Sequence, residues 1–220
     1  PVVDVNNNPK NPIINTRSFG ENPDSVERYS VEYIRGLHDY GMLSTAKHFP
    51  GHGDTETDSH SALAQIPSDS SRLWTIELPP FKSAIDAGVD AVMVAHVNAP
   101  DFQDHAQDPA TLSKFWMQDI LRDQLGFKGV IITDAMRMGG IIKNYSDEYA
   151  LVATIRAGSD IIIQNMNLKK SIDTVERAVI DGVILEEQIN KSALKVLKMK
   201  ERLGLHQDRL IKTDYTYREI

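Results

Sequence analysis

One rhythm constrains the fold more than anything else in this sequence. Five short apolar runs recur along it: Val2–Val5, Leu43–Phe49, Ala91–Val97, Val130–Thr133 and Ile161–Ile163. Stretches such as AVMVAHV, GVIIT and DIII are continuous rather than alternating, as parallel strands covered on both faces require. Helical sequence separates the runs. The first helix has Asn22 as N-cap and Pro23 at its first position, with a stripe of Val26, Tyr29, Ser30, Tyr33, Ile34 and Leu37, and Gly41 closes it. Ser113 is placed to cap Lys114–Leu125 ahead of Gly126, and Glu186–Leu203 precedes Gly204. One approach to a strand is nearly repeated, Ala87-Gly88-Val89-Asp90 and Ala157-Gly158-Ser159-Asp160. This alternation predicts an α/β fold. Five units suit either an open doubly wound sheet or five-eighths of a (β/α)8 barrel, and periodicity alone leaves both open.

Composition narrows the function classes. With 220 residues, 41% of them hydrophobic, the chain can bury a sizeable core. A net charge of −7 argues against nucleic acid or an anionic membrane as the main partner. No window holds the ~18 apolar residues of a membrane span. The absence of cysteine excludes disulfides, thiolate zinc sites and a cysteine nucleophile, and it suits any compartment. The opening Pro1-Val2-Val3-Asp4-Val5 reads as the middle of a strand without an initiator methionine, so a fragment is expected and targeting is unreadable. Residues 1–204 read as one domain, and 205–220, which lose the apolar pattern, as a tail or linker.

In either architecture, polar residues at strand C-termini face the functional end. Lys47, His48, His96, Thr133, Asp134, Gln164 and Asn165 all fall at or just past such ends. The densest stretch is KHFPGHGDTETDSH, Lys47 to His60. Its histidines and acids suggest metal, but Pro50, Gly51 and Gly53 break the helix that would align His48 with His52. A phosphate cradle needs glycines opening a helix, which this order lacks. The third reading is a dyad. In an extended segment Asp58 and His60 lie on one side, so the carboxylate can fix one ring nitrogen and present the other as a general acid–base. The bland alternative is a solvated loop histidine. Asp134 follows an apolar run, where a carboxylate is a nucleophile, a metal ligand or a helix cap. His96 is equally a core histidine with a satisfied ring. Arg17 is a substrate clamp or a tie for its own loop. Lys47 and His48 can both be functional only if the strand end is irregular, because alternation sends neighbours to opposite faces.

Together, PVVDVNNNPKNPIINTRSFGENP, KHFPGHGDTETDSH, LPPFKSAIDAGVDAVMVAH, GVIITDAM and AGSDIII resemble a family-3 glycoside hydrolase of the β-N-acetylglucosaminidase branch, to about Gly204. The resemblance implies a (β/α)8 TIM-type barrel and a retaining, two-step hydrolysis of terminal β-linked GlcNAc, with no cofactor and no metal. Asp134 matches the nucleophile, and His60, polarised by Asp58, the general acid–base. Arg17, Lys47 and His48 match positions that bind the sugar, and His96 is carried over as a further substrate-binding residue. A histidine in place of the usual second carboxylate puts no like charge beside Asp134. Pro50, Gly51 and Gly53 are read as the tether of an arm that swings over the sugar. The implied partner is a GlcNAc-containing glycan or muropeptide, in a bacterial cytoplasm, periplasm or cell surface, and further domains before Pro1 and after His206 are expected. The family's barrel begins about three strands earlier, with a DQEGGR-type segment absent here. A glycoside phosphorylase and a non-catalytic sugar-binding fragment are the alternatives.

Overall fold

The structure is a computed structural model that describes residues 1–59, 62–67, 70–100, 108–164, 167–208 and 210. Its strands are β1 (Thr45–Phe49), β2 (Ala64–Gln65), β3 (Ala91–Val94), β4 (Val97–Asn98) and β5 (Val130–Thr133). β1, β3 and β5 form one parallel sheet in that order, and β2 pairs with β4 beside it. Single parallel bridges join Val2 to Lys47 and Ile132 to Ile161. The expected runs therefore lie side by side in chain order, the first and last as bridges rather than full strands. The β2–β4 pair, two residues long on each side, is too short to leave a periodic signal.

One face of the sheet is covered throughout, and the other is covered where Ala91 and Val130 pair and more open one row on. Ala46, Val92 and Ile131 stand in register and are fully buried. Lys47, Met93 and Ile132 form the next row, flanked by Val2 and Ile161, and all five are only partly buried. Helices cover the first face. There Phe49 meets Phe81 and Trp116 edge-on, at ring centroid distances of 5.2 and 6.1 Å. Edge-to-face packing sets ring hydrogens against a π-face, so the contact is orienting as well as apolar.

Helix α1 (Pro23–Asp39) starts where the sequence places it. The Asn22 side chain accepts from the Asp24 and Ser25 amides. Val26, Ser30 and Ile34 are its buried stripe, whereas Tyr29 and Tyr33 turn outward around Phe19, with centroids at 6.2 and 6.0 Å. A short α2 (Ser70–Arg72) runs into a π-wound turn, Leu73–Glu77, and then α3 (Pro79–Asp86). The helix expected from Lys114 is present as Phe115–Gln124, but wound with π geometry. There follow α4 (Gly139–Ile142), α5 (Asp147–Ala157), α6 (Leu168–Ile180) and α7 (Glu186–Arg202). No helix among the described residues is long and apolar enough to cross a membrane.

The repeated AGVD and AGSD approaches have a common use. Asp90 accepts from the Ser44 amide (2.7 Å) and the His38 ring (2.9 Å), and pairs with Arg202 of α7. Asp160 accepts from the Ile131 amide (2.9 Å), Arg122 (2.9 Å), Ser192 (2.7 Å) and Lys195 (3.0 Å), the last two also on α7. Helix α7 buries no residue completely, so these two carboxylates, each just before a strand, tie it to the sheet. Asp160→Ala leaves two cations, a hydroxyl and a buried amide without their acceptor. We expect it to cost about 3–5 kcal/mol in denaturant unfolding. Removal of the exposed Glu187–Lys191 pair should leave the unfolding midpoint in place.

Candidate active site

The site forms where the strands end. Asp4 lies two residues past the Val2 bridge and is completely buried. One oxygen, Oδ1, accepts from the His48 amide at 3.1 Å and the His52 amide at 2.7 Å. The other, Oδ2, takes the His48 Nδ1 at 2.7 Å. Burial alone would push this carboxyl up, but the polar His48 and His52 beside it and the hydrogen bonds they donate outweigh it and hold the group below its ordinary range. Because a carboxylate only accepts, Nδ1 of His48 carries the proton. The ring's Nε2 then turns its lone pair toward the Arg17 guanidinium, Nη2 at 3.4 Å. Arg17 also donates to the Ile13 carbonyl at 3.4 Å, a tie within its own loop.

The strand end is irregular as a paired Lys47 and His48 demands. Lys47 pairs with Met93 and Phe49 with Val94, so the ladder skips His48, and the Lys47–His48 peptide is cis. His48 is released to face Asp4, while Lys47 keeps its place on the less covered face.

Residues 51–59 form a stapled arm. The Asn11 amide donates to the His52 and Gly53 carbonyls at 2.7 and 3.0 Å, and Asn8 to the Asp54 carbonyl at 3.1 Å. The His52 ring sits between the hydroxyls of Thr55 (2.5 Å) and Ser59 (2.9 Å). Burial pushes this imidazole down against the pull of Asp4, and Asp134 is among the charges it feels. The glycines are required here by close approach. A Cβ on Gly53 would stand 1.8 Å from the Val5 carbonyl oxygen, and one on Gly51, at φ +132°, 2.8 Å from Cβ of Glu77.

The arm's far end docks on the loop that follows Asp134. The Ser59 carbonyl accepts from the Gly140 amide at 3.1 Å, and the Asp58 carbonyl from the Ala62 amide at 3.0 Å. Asp58 is half-buried, and His60 and Asn165 lie outside the described residues. Asp134 follows β5, its amide donating to the Val94 carbonyl at 2.9 Å and its Oδ1 accepting from the Ala135 amide at 2.7 Å. His96 is fully buried, with Nδ1 at 2.7 Å from the Thr111 hydroxyl and Nε2 donating to the Ala135 carbonyl at 2.9 Å. Both ring nitrogens of His96 thus have a protein partner, one of them the carbonyl of the residue next to Asp134. Among the described residues no three His, Asp or Glu side chains converge as a metal ion would need.

Sequence comparison matches this architecture to a family model. The model described as the glycosyl hydrolase family 3 N terminal domain covers residues 1–199. The chain belongs to glycosyl hydrolase family 3. A family-3 β-N-acetylglucosaminidase structure from Paenibacillus sp. is 40% identical with a TM-score of 0.91, covering 98% of this chain and 41% of the other. Beta-hexosaminidase A of Pseudoalteromonas piscicida is 34% identical over 92% of this chain and 37% of its own length. A β-glucoside phosphorylase structure is 29% identical at a TM-score of 0.90, over 96% of this chain and 39% of that one. The chain thus spans about two fifths of the length of each of these three proteins.

Asp4 is the site member that the residue pattern does not single out. Its acid sits inside the run PVVDV, and the signal available was a charge in an otherwise apolar strand, which is costly unless paired.

Proposed function

We propose that this family-3 chain carries the catalytic residues of a retaining exo-β-N-acetylglucosaminidase acting on terminal β-linked GlcNAc. In this reading the parallel sheet is an arc of a (β/α)8 barrel, and the partly exposed row through Lys47, Met93 and Ile132 looks into it. The Asp134 carboxylate attacks the anomeric carbon as the glycosidic bond breaks, and the leaving oxygen takes a proton from His60. Water then gives a proton back to His60 and displaces Asp134 with a second inversion. Asp58 orients the histidine, while Arg17, Lys47 and His48 hold the hydroxyls and N-acetyl group. His96 positions Asp134 through the Ala135 carbonyl. The observation that supports the reading is the bond from the Gly140 amide to the Ser59 carbonyl, which ties residue 59 to the helix that begins five residues past Asp134.

The names of the β-hexosaminidase relatives support GlcNAc as the sugar, and muropeptides from peptidoglycan are the proposed source. The test is hydrolysis of a series of aryl β-GlcNAc substrates. His60→Ala should slow poor leaving groups about 10²–10⁴-fold and nitrophenolate far less, because nitrophenolate departs without protonation. Equal losses across the series would remove His60 from proton transfer. The phosphorylase reading has one observation in its favour, the likeness to the β-glucoside phosphorylase. Formation of GlcNAc 1-phosphate that grows with phosphate, at the expense of free GlcNAc, would select it.

A further inference from the structure

Glu77 is a buried acid that the proposed chemistry does not use. It ends the π-wound turn, is 2% exposed, and packs directly beneath Gly51 at the root of the arm. Its Oε1 accepts from Arg72 Nε at 3.3 Å, while its Oε2 is buried with no hydrogen-bond partner among the described residues. The same guanidinium reaches the arm itself, Nη2 lying 2.9 Å from Oδ2 of Asp54. Two carboxylates therefore share one guanidinium, one acid in the body of the domain and one in the arm. The other ties of the arm described above are hydrogen bonds to its backbone or within it.

We propose that Arg72 and Glu77 are positioning residues for proton delivery: they fix Asp54, and through it the segment leading to Asp58 and His60, against the domain. This rests on the glycosidase reading for its catalytic consequence but on the geometry for the brace itself. A structural filler at position 77 would need no charge, and glutamine or methionine would occupy the same space. The acid adds sensitivity to pH. Burial pushes Glu77 up to about 7, against the pull of Arg72 and with a push from Asp54. The charges that face the cluster are Arg72, Asp54 and, behind Asp54, Glu56, which pairs with Lys10 at 3.7 Å. Below about 7 Glu77 is neutral and no longer competes as an anion with Asp54 for Arg72. Above it, a second anion competes for the guanidinium and repels Asp54. An acid whose folded value is raised stabilises the folded form at low pH and loses that contribution as pH rises through the folded value. The brace is therefore tighter on the acid side.

The experiment uses the full-length protein, with Arg72→Met, Arg72→Lys and Glu77→Gln variants. Hydrogen exchange of amides 51–59, corrected for intrinsic rates, should show wild-type protection falling between pH 6 and 8. Glu77→Gln should hold protection level across that range, and Arg72→Met should lose it throughout. Arg72→Lys, which keeps the charge but not the fork, should lie between and serves if the methionine variant does not fold. In kinetics, Arg72→Met should reduce cleavage of a GlcNAc disaccharide roughly 10–100-fold more than cleavage of nitrophenyl β-GlcNAc. Equal losses on both substrates, or an exchange profile of Glu77→Gln that still follows pH as the wild type does, would overturn the proposal. A wild-type protein that cleaves neither substrate ends the glycosidase reading, and the exchange measurement still decides the brace.

Discussion

Asp134→Ala is expected to lower hydrolysis of nitrophenyl β-GlcNAc by about 10³–10⁵-fold with the fold intact. The size follows from the proposed mechanism, in which loss of the carboxylate removes the covalent step rather than weakening a contact. The fold should survive, since the Asp134 amide keeps its bond to the Val94 carbonyl whatever the side chain. The only described acceptor role of the carboxylate is to the neighbouring Ala135 amide at 2.7 Å. Thermal unfolding within a few degrees of wild type would confirm that the loss is chemical. Azide offers a second readout, since a small anion can enter the space left by the side chain and attack the same face of the sugar. An α-configured glycosyl azide is expected as product from an activated substrate. Retention of a tenth or more of the wild-type rate removes Asp134 from the nucleophile role.

The second large effect is at Asp4, and there stability falls as well as rate. Asp4→Ala strands the His48 and His52 amides and the His48 ring, all buried. Breaking a buried charged network in this way costs about 3–5 kcal/mol, which for a chain of this size lowers Tm by roughly 10 °C. Asp4→Asn separates the two losses. An asparagine oxygen can still take a backbone amide, but its NH2 group cannot accept from His48 Nδ1. The ring must then move its proton to Nε2, where the Arg17 guanidinium also donates. Turnover should therefore fall about 10²-fold in Asp4→Asn, with a smaller change in Tm than in Asp4→Ala. Because Asp4 is held below the ordinary carboxylate range, its contribution is present at neutral pH and is lost as pH falls through its depressed value. The Asp4→Asn variant should accordingly show a shallower acid limb in its stability profile.

The strand runs were readable because each is long enough to show continuous hydrophobicity, but their side-by-side order was not, since an open doubly wound sheet would serve the same pattern in another order. What escaped the sequence depends on partners far along the chain. Asp4 meets residues 44 and 48 positions away, and no local pattern marks such a pair. The glycines of KHFPGHG read as a flexible tether, whereas Gly53 is pressed against the Val5 carbonyl and Gly51 against Glu77. A glycine chosen for freedom and one chosen for lack of space look alike until the opposing atom is known. Tyr29 and Tyr33 show the converse. Helical spacing placed them on the buried stripe of α1, but both are 51% exposed and Phe19, outside the helix, draws them outward. The irregular end of β1 was the more secure inference. Two neighbouring functional side chains cannot face one way in a regular strand, and the ladder does skip His48.

The aspartates that bracket the strands have a consequence for how such a chain tolerates change. Asp90 and Asp160 stand before their strands and hold α7, whereas Asp4 and Asp134 stand after theirs and serve the site. The two pairs occupy opposite rims of the sheet, and only the pair before the strands bonds to α7. Of the two aspartates at the candidate site, Asp134 is then the one whose side chain can change with little loss of stability, because Asp4 holds the buried His48 and His52 amides.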